Sequence, residues 1–147
     1  MEEQPPIQIT FSGGIMFDSV VIADRFPLPG ETIIGSNFRS DFGGKTANQA
    51  VMCSKMFGAE TKRKVFMIGA VGNDTNGSAY LNNLSDHGVD TTHVKVCEDR
   101  PTGLASIFVA ANAGGDTKTI AIPGANERVD VSDILAAEST IKSSKIV

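Results

Sequence analysis

Polar and apolar residues alternate over residues 7–11 (IQITF), the period of a half-buried strand. The turn Ser12-Gly13-Gly14 follows, at the strand end where open α/β sheets bind their ligands. Residues 15–23 (IMFDSVVIA) are apolar except for Asp18 and Ser19, and residues 26–31 (FPLPGE) make a proline- and glycine-rich turn. Residues 32–42 mix β-branched, aromatic and polar side chains, as exposed strands joined by a short turn do. Apolar residues then recur at Ala47, Ala50, Val51, Met52, Met56 and Phe57, which predicts a helix led by Gly43-Gly44 and capped by Gly58. The continuous apolar run at 65–71 (VFMIGAV) predicts a strand buried on both faces. A helix over 76–87 follows, with Ala79, Tyr80, Leu81 and Leu84 as its buried stripe and Gly88 as its cap. Two strand-like runs lie at 93–97 and 104–111, and the second pairs as a hairpin with 117–122. After the break at Pro123-Gly124-Ala125-Asn126, residues 131–141 predict a last helix, with Asp130 or Ser132 as N-cap. Residues 145–147 (KIV) read as the start of a strand.

Strands that alternate with helices predict an α/β fold with a mostly parallel sheet between covering helices. The clusters of strand and hairpin predict a smaller β layer over the ligand-binding end of that sheet. At 147 residues the chain is of single-domain size, with no repeat, low-complexity tract or linker.

Composition narrows the partners. A net charge of −4 with no basic stripe speaks against nucleic acid, and Lys62-Arg63-Lys64 reads as a solvated loop. Cys53 and Cys97 form no disulfide framework, so a reducing compartment is expected. The start, MEEQPPIQ, has no apolar core of a signal peptide, and no membrane span is expected. The sequons at Asn73, Asn76 and Asn83 are then chance matches.

His87 and His93 are isolated from one another and from the cysteines, so no metal site is expected. His87 fits a helix C-terminus, where it meets the dipole. No G-x-S-x-G, Walker A or G-x-G-x-x-G is present. The chemistry that remains is polar. Asp18 accepts hydrogen bonds, Asn48 donates and accepts, and Gly43-Gly44 offers backbone amides at a helix start. That mixture suits sugar hydroxyls, each both donor and acceptor. The residues alone leave two readings open: Asp18 as an edge-strand carboxylate facing solvent, and Gly43-Gly44 as a tight turn before a packed helix.

Motifs in a fixed order add to this. They are Gly13-Gly14 with Asp18, Pro29-Gly30-Glu31-Thr32 and Phe42-Gly43-Gly44-Lys45-Thr46-Ala47-Asn48-Gln49-Ala50. Ile68-Gly69-Ala70-Val71-Gly72-Asn73-Asp74, Gly88-Val89-Asp90, Thr102-Gly103-Leu104-Ala105 and Gly124-Ala125-Asn126 follow. Together they resemble the N-terminal half of the ribokinase/phosphofructokinase-B family of carbohydrate kinases. The resemblance implies a Rossmann-like sheet with a β-sheet lid, drawn from about residues 15–23, 32–42, 93–97 and 104–122. It implies that Asp18, Gly43, Gly44, Lys45 and Asn48 bind a sugar, covered by Ala105 and Ile107.

The activity implied is ATP-dependent phosphorylation of D-ribose at its 5-hydroxyl, with Mg²⁺ and a monovalent cation such as K⁺, in a cytoplasmic and also nuclear homodimer joined through the lid. Two positions depart from the common pattern: Thr46, where Gly is frequent, and Met16, where many members have Asn. The G-A-G-D segment that carries the family's catalytic aspartate and anion hole does not occur. The nucleotide pocket, the cation site and a substrate-contacting glutamate are likewise expected beyond Val147. The expectation is weak sugar binding, if any, and no phosphorylation by these residues alone. The alternatives are another sugar or nucleoside kinase of the family, or a non-catalytic truncated form that dimerises through its lid.

Overall fold

The chain runs through β1 (Ile7–Ser12), β2 (Met16–Ala23), β3 (Asn37–Gly43), α1 (Lys45–Phe57), β4 (Arg63–Gly72), α2 (Thr75–Asp86), β5 (Val89–Cys97), β6 (Gly103–Ala110), β7 (Asp116–Ile122), α3 (Val131–Ala136) and α4 (Glu138–Ser143). The computed structural model describes residues 7–57 and 63–147; Gly58, the expected helix cap, lies outside them, as does Lys62 of the basic cluster. Among the described residues no helix is long and apolar enough to cross a membrane.

The apolar run at 65–71 becomes the middle of a three-stranded sheet ordered β1-β4-β5, all parallel. Val65, Met67 and Val71 pack with Ala47 and Ala50 of α1 and Tyr80 and Leu84 of α2. Ala70, of opposite parity, packs with Cys97 and Ala125. Both faces of β4 are therefore covered, which explains its continuous apolar character. α1 and α2 share one core cluster with β4 and so cover the same face, as the right-handed crossover rule expects of a chain that steps from β1 to β4 to β5 in one direction. The segment from Gly124 to Ser143 returns the opposite way, and Ile146 then bridges in parallel to Ile9 beyond β1. The strand start expected at 145–147 is realised as that single bridge.

The other strands form a four-stranded mixed sheet ordered β3-β2-β6-β7, in which β2 and β6 run parallel and both outer pairs antiparallel. The hairpin expected from 104–122 is present, turning through Gly114 and Gly115, both with positive φ. By register, the side of this four-stranded sheet opposite Asp18 carries exposed apolar residues: Phe38 (59%), Phe108 (37%), Ile120 (64%) and Ile122 (50%).

Four expectations need correcting. Residues 93–97 belong to β5 of the parallel sheet rather than to the small β layer; as an edge strand, β5 keeps polar side chains between its apolar ones. Only the later part of 32–42 is strand, since β3 begins at Asn37. The helix over 131–141 is two short helices: the Ala137 N–H reaches back to Asp133 and Ile134, closing α3 before α4 begins. Arg63 and Lys64, expected in a solvated loop, are instead the exposed first residues of β4. Asp130 is the N-cap of α3, through a capping box with Asp133.

Candidate functional site

The chain crosses four times between the two sheets: at Gly13-Gly14, Gly43-Gly44, residues 98–102 and Pro123-Gly124. These crossings meet at the C-terminal ends of β1 and β4, the ligand-binding end of a parallel sheet. Backbone packs on backbone there. A Cβ on Gly44 would lie 2.6 Å from the Gly14 carbonyl oxygen, and one on Gly124 would lie 2.3 Å from that of Pro101. Gly44 also holds φ at +89°, which a side chain would strain.

Asp18 sits in the middle of this seam. Its strand, β2, is internal, flanked by β3 and β6, so the edge-strand reading does not survive. The register places Asp18 opposite Asp41 on one side and Ala105 on the other. Its carboxylate lies over Gly43, where a Cβ would come within 2.3 Å of the carboxyl atoms. The side chain is half-buried and accepts no hydrogen bond from the described residues. Burial, and then the charge of Asp41, hold its carboxyl above its ordinary 3.8. Arg39 pairs with Asp41 at 3.0 Å, so the cation there is already engaged by the neighbour.

Gly43 and Gly44 lead into α1, whose first residue is Lys45. The first-turn N–H groups of a helix lack intrahelical partners, so this end offers donors beside the acceptor Asp18. The Asn48 N–H donates to the Gly44 carbonyl at 2.9 Å, which puts Asn48 one turn into the helix. The side chains of Lys45 and Asn48 are exposed and make no hydrogen bond among the described residues. The structure thus gathers Asp18, Gly43, Gly44 and Ala105 directly, and brings Lys45 and Asn48 along on the adjoining turn. Ile107 is the register partner of Val20 and shares the sheet side of Asp18 and Ala105. Met16 opens that side, with its sulfur 3.5 Å from Asn126 Nδ2.

Three supports were not among the expected site residues, although Asn126 and Asp74 each end one of the motifs. Asn126 clamps the start of β2: its Oδ1 accepts from the Ile15 N–H and its Nδ2 donates to the Ile15 carbonyl, each at 2.8 Å. The Tyr80 hydroxyl, from α2, donates to the Gly43 carbonyl. Its ring stands edge-on to Phe42 at 5.2 Å, and Phe42 stands edge-on to Phe17 at 5.8 Å. Burial, with the nearby Asp18 charge, pushes the Tyr80 hydroxyl well above its usual pKa, so it is a donor at any ordinary pH. Asp74 caps α2 through the Gly77 N–H and also accepts from the N–H and hydroxyl of Thr102, all at 2.7 Å. Those bonds tie the β4–α2 turn to the start of β6.

Among the described residues no cluster of three or more metal-ligating side chains exists. A hollow of about 420 Å³ lies at the opposite end of the sheet, beside Arg63–Val65 and Gly88–Thr92, and none of these residues lines it.

A parallel sheet with a second small sheet over its C-terminal end, meeting at a carboxylate and a glycine-led helix start, is the architecture of a carbohydrate-kinase family. The description "pfkB family carbohydrate kinase" matches residues 7–147, and the chain belongs to that family. Among its relatives are ribokinases. That of Bacillus subtilis is 37% identical over 135 residues, which are 92% of this chain and 43% of the relative. The structure of ribokinase from Giardia lamblia superposes with a TM-score of 0.85 at 30% identity, over 95% of this chain and 44% of that one. The structure of Arabidopsis thaliana ribokinase complexed with ribose and ATP gives 0.78 at 25% identity, over 96% and 44%. The chain therefore spans less than half the length of the relatives it matches.

Proposed function

We propose that this chain is the sugar-binding portion of a ribokinase-like enzyme and that its ligand is D-ribose. The observation that carries the reading is the Asp18 carboxylate, half-buried over Gly43 and without a hydrogen-bond donor among the described residues, beside the start of α1. A buried acceptor in want of donors is matched by hydroxyl groups, and bonds to a charged acceptor are the stronger kind. Gly43 and Gly44 supply backbone groups, Lys45 and Asn48 reach from the first turn of α1, and Ala105 and Ile107 cover the ring from β6.

The complete reaction moves the γ-phosphoryl group of ATP to the 5-hydroxyl, with Mg²⁺ and K⁺ neutralising charge. Such transfer is mostly positioning and charge stabilisation. No step of the transfer is assigned to the described residues, whose part in this reading is to bind and orient the sugar. A coupled assay of the 147-residue chain with ribose and ATP is expected to give no turnover above buffer; turnover would contradict this division of labour. Deoxyribose, fructose and adenosine in parallel binding measurements separate ribose from the other sugars and nucleosides of the family.

A second reading, a non-catalytic form that pairs through the small sheet, is favoured by the exposed Phe38, Phe108, Ile120 and Ile122. By register these side chains share one side of the small sheet, and an apolar patch on a sheet face marks an interaction site. Size-exclusion chromatography at rising concentration is expected to show a dimer, and a monomer that persists at high concentration contradicts the pairing.

A further inference from the structure

We infer that Tyr80 is a positioning residue of the sugar site: through its hydroxyl it sets the plane of the Gly43–Gly44 peptide. The inference rests on the sugar reading for its purpose and on geometry for its content. Tyr80 is 1% exposed and its ring is fixed among the core residues of α1, α2 and β4. Its hydroxyl donates to the Gly43 carbonyl, an acceptor 37 residues earlier on the other side of the seam. No described peptide is cis, so the Gly44 N–H points opposite to that carbonyl, away from Tyr80.

A glycine pair is the backbone least able to hold its own orientation. The Gly43–Gly44 peptide is also the junction between β3 and α1, where the second sheet joins the body. The register of β3 with β2 holds Gly43, opposite Met16, and includes no partner for Gly44. A hydroxyl anchored in the rigid core removes that freedom before the ligand arrives, which is the way preorganisation improves binding. The aromatic contact with Phe42 explains why a ring stands at this position, but not why the ring carries a hydroxyl. The hydroxyl is the part assigned to the site.

The test is Tyr80→Phe, which keeps the ring and deletes the donor, read by 1H–15N NMR on the 147-residue chain. Without ligand, the Gly44 N–H vector is expected to reorient by residual dipolar coupling and to exchange faster, while the amides of β4 stay as they are. With D-ribose, affinity is expected to fall about tenfold, the scale of one neutral hydrogen bond. Leu84→Val, in the same helix and core, is the control for simple loss of packing: it is expected to lower the melting temperature and leave the Gly44 amide unchanged. An unchanged Gly44 vector and exchange rate in Tyr80→Phe overturns the inference, whether or not ribose binds. A wild-type chain that does not bind ribose would overturn the sugar reading instead, and the ligand-free comparison would still decide the role of Tyr80.

Discussion

Replacing Asp18 by asparagine is expected to weaken ribose binding about 100-fold or more while leaving the fold as stable as before or slightly more so. The loss follows from removing the charge on an acceptor that makes one or two bonds to hydroxyls, each worth about 1.5–3 kcal/mol. The gain follows from what the carboxylate endures when no ligand is present. It is half-buried, and in the strand register it faces Asp41, a like charge directly across. Cross-strand pairs of like charge cost on the order of 0.2–1 kcal/mol. The pH dependence has a definite sign. The folded pKa is raised, so the stabilising contribution is that of the protonated form, present below 3.8 and lost as pH rises through the folded value. The variant should therefore exceed the wild type in thermal stability near neutral pH and lose that advantage in acid. A variant that bound ribose normally, or that unfolded, would remove Asp18 from the account.

Asp74→Ala is expected to cost about 3 kcal/mol of stability, a fall in Tm of roughly 6–12 °C for a chain of this size. The side chain caps α2, and losing an N-cap costs about 1 kcal/mol. It also satisfies the N–H and hydroxyl of Thr102, which is only 3% exposed, and orphaned buried donors cost about 1–3 kcal/mol more. The hydroxyl of Thr102 in turn accepts from the Gly72 N–H at 3.0 Å, so the disturbance reaches the end of β4. Burial opposes the charge of Asp74, but the bonds from Thr102, Gly77 and Asn76 outweigh it and keep the carboxyl below its ordinary 3.8. A lowered folded pKa means stability present above 3.8 and lost as pH falls through the folded value, the reverse of Asp18. Asp74→Asn keeps a good N-cap and should lose less. Thermal melts of the three proteins across pH 3 to 7 check both the size and the sign, on the roughly 1 kcal/mol scale of a single cap; equal melts for wild type and Asp74→Ala would contradict the network.

The two aspartates also mark what could be read along the chain. Asp18 stood out because a charge interrupts an apolar run, yet its place inside a sheet was not legible. The partner that buries it, β6, lies more than 80 residues away by register, Asp18 against Ala105, and no local pattern encodes such a pairing. α1, α2 and β4 were legible because each carries its own period and its own covering neighbours. Residues 93–97 were legible as a strand but not their sheet, since an edge strand of a parallel sheet keeps the polar alternation of an exposed one. The break at Ala137 carries neither proline nor glycine to announce it. Tyr80 was legible only as part of a buried stripe, because its partner is a backbone carbonyl, and a carbonyl has no residue type. Gly43 and Gly44 were legible as a turn, and the seam explains why they are glycines: one carries the Asp18 carboxylate against its Cα, the other the Gly14 carbonyl.

The measurement closest to the central claim is a D-ribose titration of the 15N-labelled chain, followed residue by residue. The account predicts weak, saturable shifts concentrated at the amides of Gly43, Gly44, Lys45 and Ala105 and at the Asn48 side-chain amide, and their absence in Asp18→Asn. Shifts that cluster elsewhere, such as the hollow beside Arg63 and Gly88, or no saturable shift at all, would contradict it.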